Sequence, residues 1–182
     1  MAIRYKLFVP NEIYYITFSI LGWKFVFTED KYCNLVYKWF DYIKRKYNNL
    51  IHGYVIMPNH IHCLLTITDK SSVLPKFIQN AKRFLAYQMV DLLEKDKKFK
   101  LLDFFRENAE VKKGAKHKVF EDGYDSLMIQ SQKFFLQKLN YIHNNPCQEK
   151  WRLTDNPEDY KYSSAANYIN DKGFYEIEMV EF

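Results

Sequence analysis

The chain has 182 residues, within the ~100–200 expected of one domain, and the reading here is a single domain over 1–182. Hydrophobic residues are 48% and charged residues 27%, which excludes disorder as the general state. Lys and Arg number 27 against 22 acids, a net charge of +5 that suits an anionic partner without requiring one. No apolar run approaches the ~18 residues of a membrane span. Met1 to Pro10 carries Arg4 and Lys6 but no small-residue cleavage site after a long apolar core, so the expectation is a cytoplasmic protein with no membrane partner.

Ile13 to Ser19 reads IYYITFS, β-branched and aromatic, and predicts a strand. Thr28-Glu29-Asp30 reads as a helix start with Thr28 as cap. Val36, Phe40, Ile43 and Tyr47 then recur at helical spacing to about residue 47. Leu50 to Met57 predicts a second strand, Pro58-Asn59 a turn and His60 to Thr68 a third strand. Ser71 or Ser72 is the expected cap of a long helix to about Glu94, with Phe77, Ala81, Phe84, Leu85, Gln88 and Leu92 on one stripe. Residues 94–118 hold nine Lys or Arg against five acids and read as a basic, variable loop. Asp122-Gly123 marks a turn before another strand. Ser131 caps a helix that Pro146 ends, and the tail from about 151 reads as a short helix within an irregular wrap. Helices covering mainly one face of an antiparallel sheet is the α+β solution to this order, and a ferredoxin-like split arrangement is the natural candidate.

Three cysteines, Cys33, Cys63 and Cys147, are odd in number and far apart, against a disulfide framework or a zinc site of paired cysteines. The 15 Tyr, 15 Phe and 3 Trp make 18% of the chain, a surplus that suits stacking on unpaired bases as well as core packing.

His60-Ile61-His62 lies on the third predicted strand. Alternation puts both imidazoles on one face, ~6.6 Å apart, where they can converge on one ion. The alternative is two unrelated polar residues near a strand start. Tyr141 and Asn145 are four apart on a helix and share a face with Gln137. That pairs a phenol with an amide oxygen, or else marks a helix end capped by Asn145. Taken together, two imidazoles and an amide oxygen would leave a metal with open positions for substrate. A phenol, with its pKa of ~10, is a poor nucleophile at neutral pH unless a Lewis acid polarises the electrophile. A phosphodiester attacked by this phenol fits the parts. The products would be a phosphotyrosine link and a free sugar hydroxyl.

YVIMPNHIHCLL (Tyr54 to Leu65), LNYIHNNP (Leu139 to Pro146) and PEDYKYSSAANY (Pro157 to Tyr168) resemble the single-tyrosine HUH transposases, and among them the REP-associated tyrosine transposases. The resemblance runs from about Ile13 to Tyr168. It implies the HUH endonuclease fold, Tyr141 as catalytic residue, and His60, His62 and Asn145 as ligands of Mg²⁺ or Mn²⁺. It implies a nuclease and strand transferase acting on single-stranded DNA beside a hairpin through a 5′-phosphotyrosine intermediate. The protein would be a monomer or a homodimer. A catalytically silent hairpin-binding protein is the alternative. Imidazole ligands predict tighter Mn²⁺ than Mg²⁺ binding. Lys82, Arg83, Lys112, Lys113, Lys116 and Lys118 are the candidate DNA contacts, with a steep salt dependence. His52, His117, His143 and the Tyr162-Ser163-Ser164 cluster read as structural.

Overall fold

The computed structural model describes residues 8–109, 114 and 116–180. Its strands are β1 (Glu12–Ser19), β2 (Leu50–Met57), β3 (His60–Ile67) and β4 (Asp125–Met128). Its helices are α1 (Asp30–Tyr47), α2 (Leu74–Lys95), α3 (Phe99–Glu107), α4 (Gln132–Asn144) and α5 (Ala165–Ile169). The strands form one antiparallel sheet in the order β2-β3-β1-β4, with α1 between β1 and β2 and α2 between β3 and β4. This is the expected split ferredoxin-like arrangement.

Strand alternation divides the sheet into two faces. Ile16 and Phe18 of β1 and Ile61, Cys63 and Leu65 of β3 pack with Trp39 and Phe40 of α1 and Phe77 and Leu85 of α2. Tyr15, Val55, Met57 and Leu64 point the other way and meet Phe135, Leu139 and Ile142 of α4. Most helical cover is therefore on one face, and α4 crosses the other. His60 and His62 belong to the α4 face, since they alternate with Ile61 and Cys63.

Four local expectations differ from the structure. Helix α1 starts at Asp30 behind Glu29 rather than Thr28, and the Asp30 carboxylate is held by Tyr162 and by Lys161 at 2.5 Å. Helix α2 starts at Leu74, with Pro75 in its first turn, because the Ser71 hydroxyl is spent on Asn49 Oδ1 at 2.9 Å. The stripe on α2 is rotated, burying Met89 and Leu93 and leaving Phe84, Gln88 and Leu92 half-buried. The basic segment holds a helix, α3, because Leu102 and Phe105 are one turn apart and both find the core. Ser131 does cap α4, accepting from the Phe134 amide at 3.2 Å.

Two features seat α4. A bulge at His52 shifts the β2–β3 register, so that Gly53 faces the helix. A Cβ at Gly53 would lie 2.8 Å from Leu139 Cδ1, so α4 rests against bare backbone. The tail supplies the second. Ser163 bridges Val55, and the Ile56 amide donates to Tyr162 O at 2.9 Å, so the outer edge of β2 is covered. Ser164 Oγ accepts from the Tyr54 amide at 2.9 Å and lies 2.9 Å from His143 Nε2, tying α4, tail and sheet together. Burial pushes His143 down to about 4, so its ring is neutral.

Gly53→Ala is expected to destabilise the protein by about 1–3 kcal/mol, because the added methyl overpacks against Leu139. Thermal unfolding checks this, and an unchanged midpoint would mean that α4 does not need the bare strand.

Candidate active site

β3 places His60 and His62 on the α4 face, with ring centroids 4.7 Å apart and planes at 83°. Both rings are held by their Nδ1 atoms. Asn59 Oδ1 lies 2.7 Å from His60 Nδ1, and the same amide donates from Nδ2 to Trp23 O at 3.2 Å. The amide nitrogen thus faces a carbonyl, so its oxygen must accept, and His60 carries its proton on Nδ1. Tyr15 Oη lies 2.8 Å from His62 Nδ1. Asn145 Nδ2 approaches His62 Nε2 at 3.2 Å, which makes Nε2 the acceptor and Nδ1–H the donor to Tyr15. Each imidazole is thereby held in the tautomer that leaves an Nε2 lone pair for a ligand.

Asn145 is 1% exposed, and its Oδ1 has no hydrogen-bond partner. A buried amide oxygen left unpaired costs free energy, so its retention on an amide that meets the His62 imidazole marks a place for an electrophile. A half-turn of the amide exchanges its oxygen and nitrogen and would present Oδ1 beside His62 Nε2. Two Nε2 atoms and one amide oxygen fit a divalent cation with coordination positions to spare. Among the described residues no group of three or more His, Cys, Asp or Glu side chains forms another candidate.

Tyr141 projects from α4 one turn before Asn145. Its ring lies 5.4 Å from that of His62 and 6.4 Å from that of Tyr15, and the residue is 43% exposed. The nucleophile candidate therefore touches the ligand candidate and remains open to solvent. Burial raises the Tyr15 phenol, with Tyr141 adding to the effect, so Tyr15 stays protonated and acts as the His62 support.

Lysines act on the two imidazoles, and Asp125 acts on the neighbouring Tyr15. Burial, aided by Lys150, lowers His60 to about 4. His62 is driven well below its ordinary value by burial, then by His60, Lys150 and Lys138. Both rings are thus neutral near pH 7, the state a metal ligand requires. Lys138 Nζ sits 4.7 Å from the Tyr15 ring centroid and 5.9 Å from that of Tyr141.

The other predicted contacts lie elsewhere. The Lys82 ammonium donates to Glu121 O and Gly123 O at 2.7 Å and Asp122 O at 3.3 Å, from a helix on the opposite face of the sheet. Arg83, on that same helix, reaches Asn80 Oδ1. Lys118 pairs with Asp122 at 2.8 Å, and Lys116 is exposed. Lys112 and Lys113 lie outside the described residues. None of the described four is brought to the imidazoles. Sequence reasoning missed Tyr15, Asn59, Lys138 and Lys150. Lys138 had a signal, since it stands three residues before Tyr141 on the same helix.

No protein-family model matches the chain, and no curated protein does. Among solved structures it is similar to a REP-associated tyrosine transposase bound to a REP hairpin, at 15% identity and a TM-score of 0.65, covering 100% of this chain and 93% of that one. A chain from Deinococcus radiodurans that carries a transposase assignment is 20% identical, with a TM-score of 0.48, over 75% of this chain and 92% of its own. The first likeness shows the fold: this chain has the α+β architecture of a tyrosine transposase over its whole length.

Ring ¹⁵N shifts are expected to report Nδ1–H tautomers for both His60 and His62 in metal-free protein. His60 should stay neutral as pH falls from 7 and take up its proton only near pH 4. Nε2–H tautomers, or protonation near pH 6.5, would show that the lone pairs are not held for a ligand.

Proposed function

We propose that the chain is a Mg²⁺- or Mn²⁺-dependent nuclease and strand transferase that cuts single-stranded DNA beside a hairpin through Tyr141. One observation carries this reading: the unpartnered Asn145 amide meets His62 Nε2 where the Tyr141 ring abuts the same imidazole. A phenol beside two neutral imidazoles and an amide has little use in a purely structural role.

His60, His62 and Asn145 would hold the cation. When bound, it would polarise a phosphoryl oxygen and offset the charge that develops there. Tyr141 attacks the phosphorus, forming the Tyr141 Oη–P bond and breaking the bond to the 3′ oxygen. The phenol gives up a proton and the departing 3′ oxygen takes one, so the exchange is proton-neutral. A phosphodiester bond is kept as a 5′-phosphotyrosine, and a second strand's 3′ hydroxyl can reverse the step without an external energy source. Lys138 and Lys150 favour the anionic strand, and the neutral ligand set leaves the cation's charge available to it. Tyr15 and Asn59 hold the imidazoles in register.

The hairpin is the partner suggested by the DNA bound to the solved relative. A monomer suffices for one site, because Tyr141, His60, His62 and Asn145 come from one chain, and a cytoplasmic location gives access to DNA. Among the described residues no helix is long and apolar enough to cross a membrane.

The test uses single strands carrying an imperfect hairpin, incubated with Mn²⁺ and resolved under denaturing conditions. A 3′-end label should appear on the protein, and a 5′-end label on a shorter free strand ending in a hydroxyl. Tyr141→Phe should abolish both products while leaving strand binding intact. Binding without an adduct in the unsubstituted protein would instead identify a silent hairpin-binding protein.

A further inference from the structure

The loop after β1 and the segment after α4 place Trp23 and Trp151 against His60, and Phe25 against Trp151. Trp23 is 59% exposed and Phe25 is 57% exposed, whereas Leu21, Val26 and Phe27 between and beside them are buried. The Trp23 ring lies 6.1 Å from His60 at 70°, and the Trp151 ring lies 5.6 Å from it. Phe25 and Trp151 are 6.1 Å apart. Trp151 is half-buried, whereas Trp23 and Phe25 are exposed, and exposed aromatics of this size beside a polar site are costly to leave in water.

The loop is held in place. Ile20 N donates to Asn59 O at 2.8 Å, and the Val26 and Phe27 amides donate to Pro58 O at 2.9 and 3.0 Å. Trp23 has φ of 54°, a left-handed conformation that a bulky residue rarely adopts. Its carbonyl accepts from Asn59, the residue that also holds His60. One amide therefore sets both an imidazole and an exposed indole. Strain fixed in this way is found at ligand clamps. Lys150 acts on both imidazoles and sits 5.7 Å from the Trp151 ring, whereas Lys24 lies over Phe104, 4.6 Å from its ring centroid.

We infer that Trp23, Phe25 and Trp151 form a stacking platform for unpaired bases on the side of the cut that is released with a free 3′ hydroxyl. This rests on the reading of the site as a phosphoryl-transfer centre. Aromatic faces with a lysine beside them match a single strand, whose bases stack and whose phosphates pair with cations. The direction follows from the site. Tyr141 meets the His62 side of the imidazole pair, and the indoles meet the His60 side. Attacking and leaving oxygens lie roughly in line in phosphoryl transfer. A strand attacked from the His62 side therefore departs across His60, onto the aromatic rings.

The test separates stacking from chemistry. Titration of an eight-nucleotide mixed-sequence single strand in EDTA should quench tryptophan fluorescence, because two of the three tryptophans are in the platform and Trp39 is buried. Trp23→Ala and Phe25→Ala should each raise the dissociation constant about tenfold, and Trp23→Phe should restore most of the affinity. An abasic strand of equal length should bind more weakly and quench little. The platform is overturned if Trp23→Ala binds within twofold of the unsubstituted protein, or if the abasic strand quenches equally. An adduct with Tyr141 together with that null result would sink the platform alone. Quenching lost in Trp23→Ala, without any adduct, would support the platform and sink the chemistry instead. With the cut mapped, 2-aminopurine immediately 5′ of it should be quenched in the unsubstituted protein and bright in Trp23→Ala. The reverse, with only the 3′ position responding, would contradict the assigned direction.

Discussion

The end of α4 must reach across the sheet to His62, and the remaining features of the site depend on that contact. Asn145 and His62 are 83 residues apart, yet the amide and the imidazole meet at 3.2 Å. The contact exists because α4 lies on β2 at a residue with no side chain, and because the Ser164 hydroxyl bonds β2 and lies against His143 of the same helix. Were α4 displaced by the thickness of a methyl group, Tyr141 and Asn145 would leave the imidazoles together. The tail matters for the same reason. It seals the edge of β2 and fixes the strand against which the helix is registered.

The electrostatics of the site invert those of most carboxylate-based metal centres. Burial keeps both imidazoles neutral, and the charged groups acting on them are lysines. Three neutral donors would bind a hard cation weakly by themselves, since they do little to offset its charge. An arriving phosphodiester would complete that balance, so ion and strand are expected to assist one another. On the proposed reading the arrangement would also favour Mn²⁺ over Mg²⁺, because imidazole nitrogen suits the softer ion better.

Much of this was legible from local pattern. Strand alternation placed His60 and His62 on one face, helical spacing paired Tyr141 with Asn145, and Ser131 marked the start of α4. These are short-range consequences of periods of 2 and 3.6 residues. The supports were not legible. Tyr15 serves His62 only because β1 pairs with β3 in one register, and Trp23 reaches His60 only because its loop is strapped to Pro58 and Asn59. The partners of the basic residues were equally illegible. Lys82 donates to three carbonyls of a loop about 40 residues away, a pairing that no local spacing announces. Local charge density likewise hid α3, where Leu102 and Phe105 outweighed the lysines around them.

The account stands on one cation gripped by both imidazoles. Pulsed electron paramagnetic resonance on Mn²⁺-loaded protein reads this directly through the couplings of ligated nitrogen. Two imidazole nitrogens are expected in the unsubstituted protein, and one in either His60→Gln or His62→Gln. Mn²⁺ bound with no directly coordinated nitrogen, or couplings untouched by both substitutions, would contradict it.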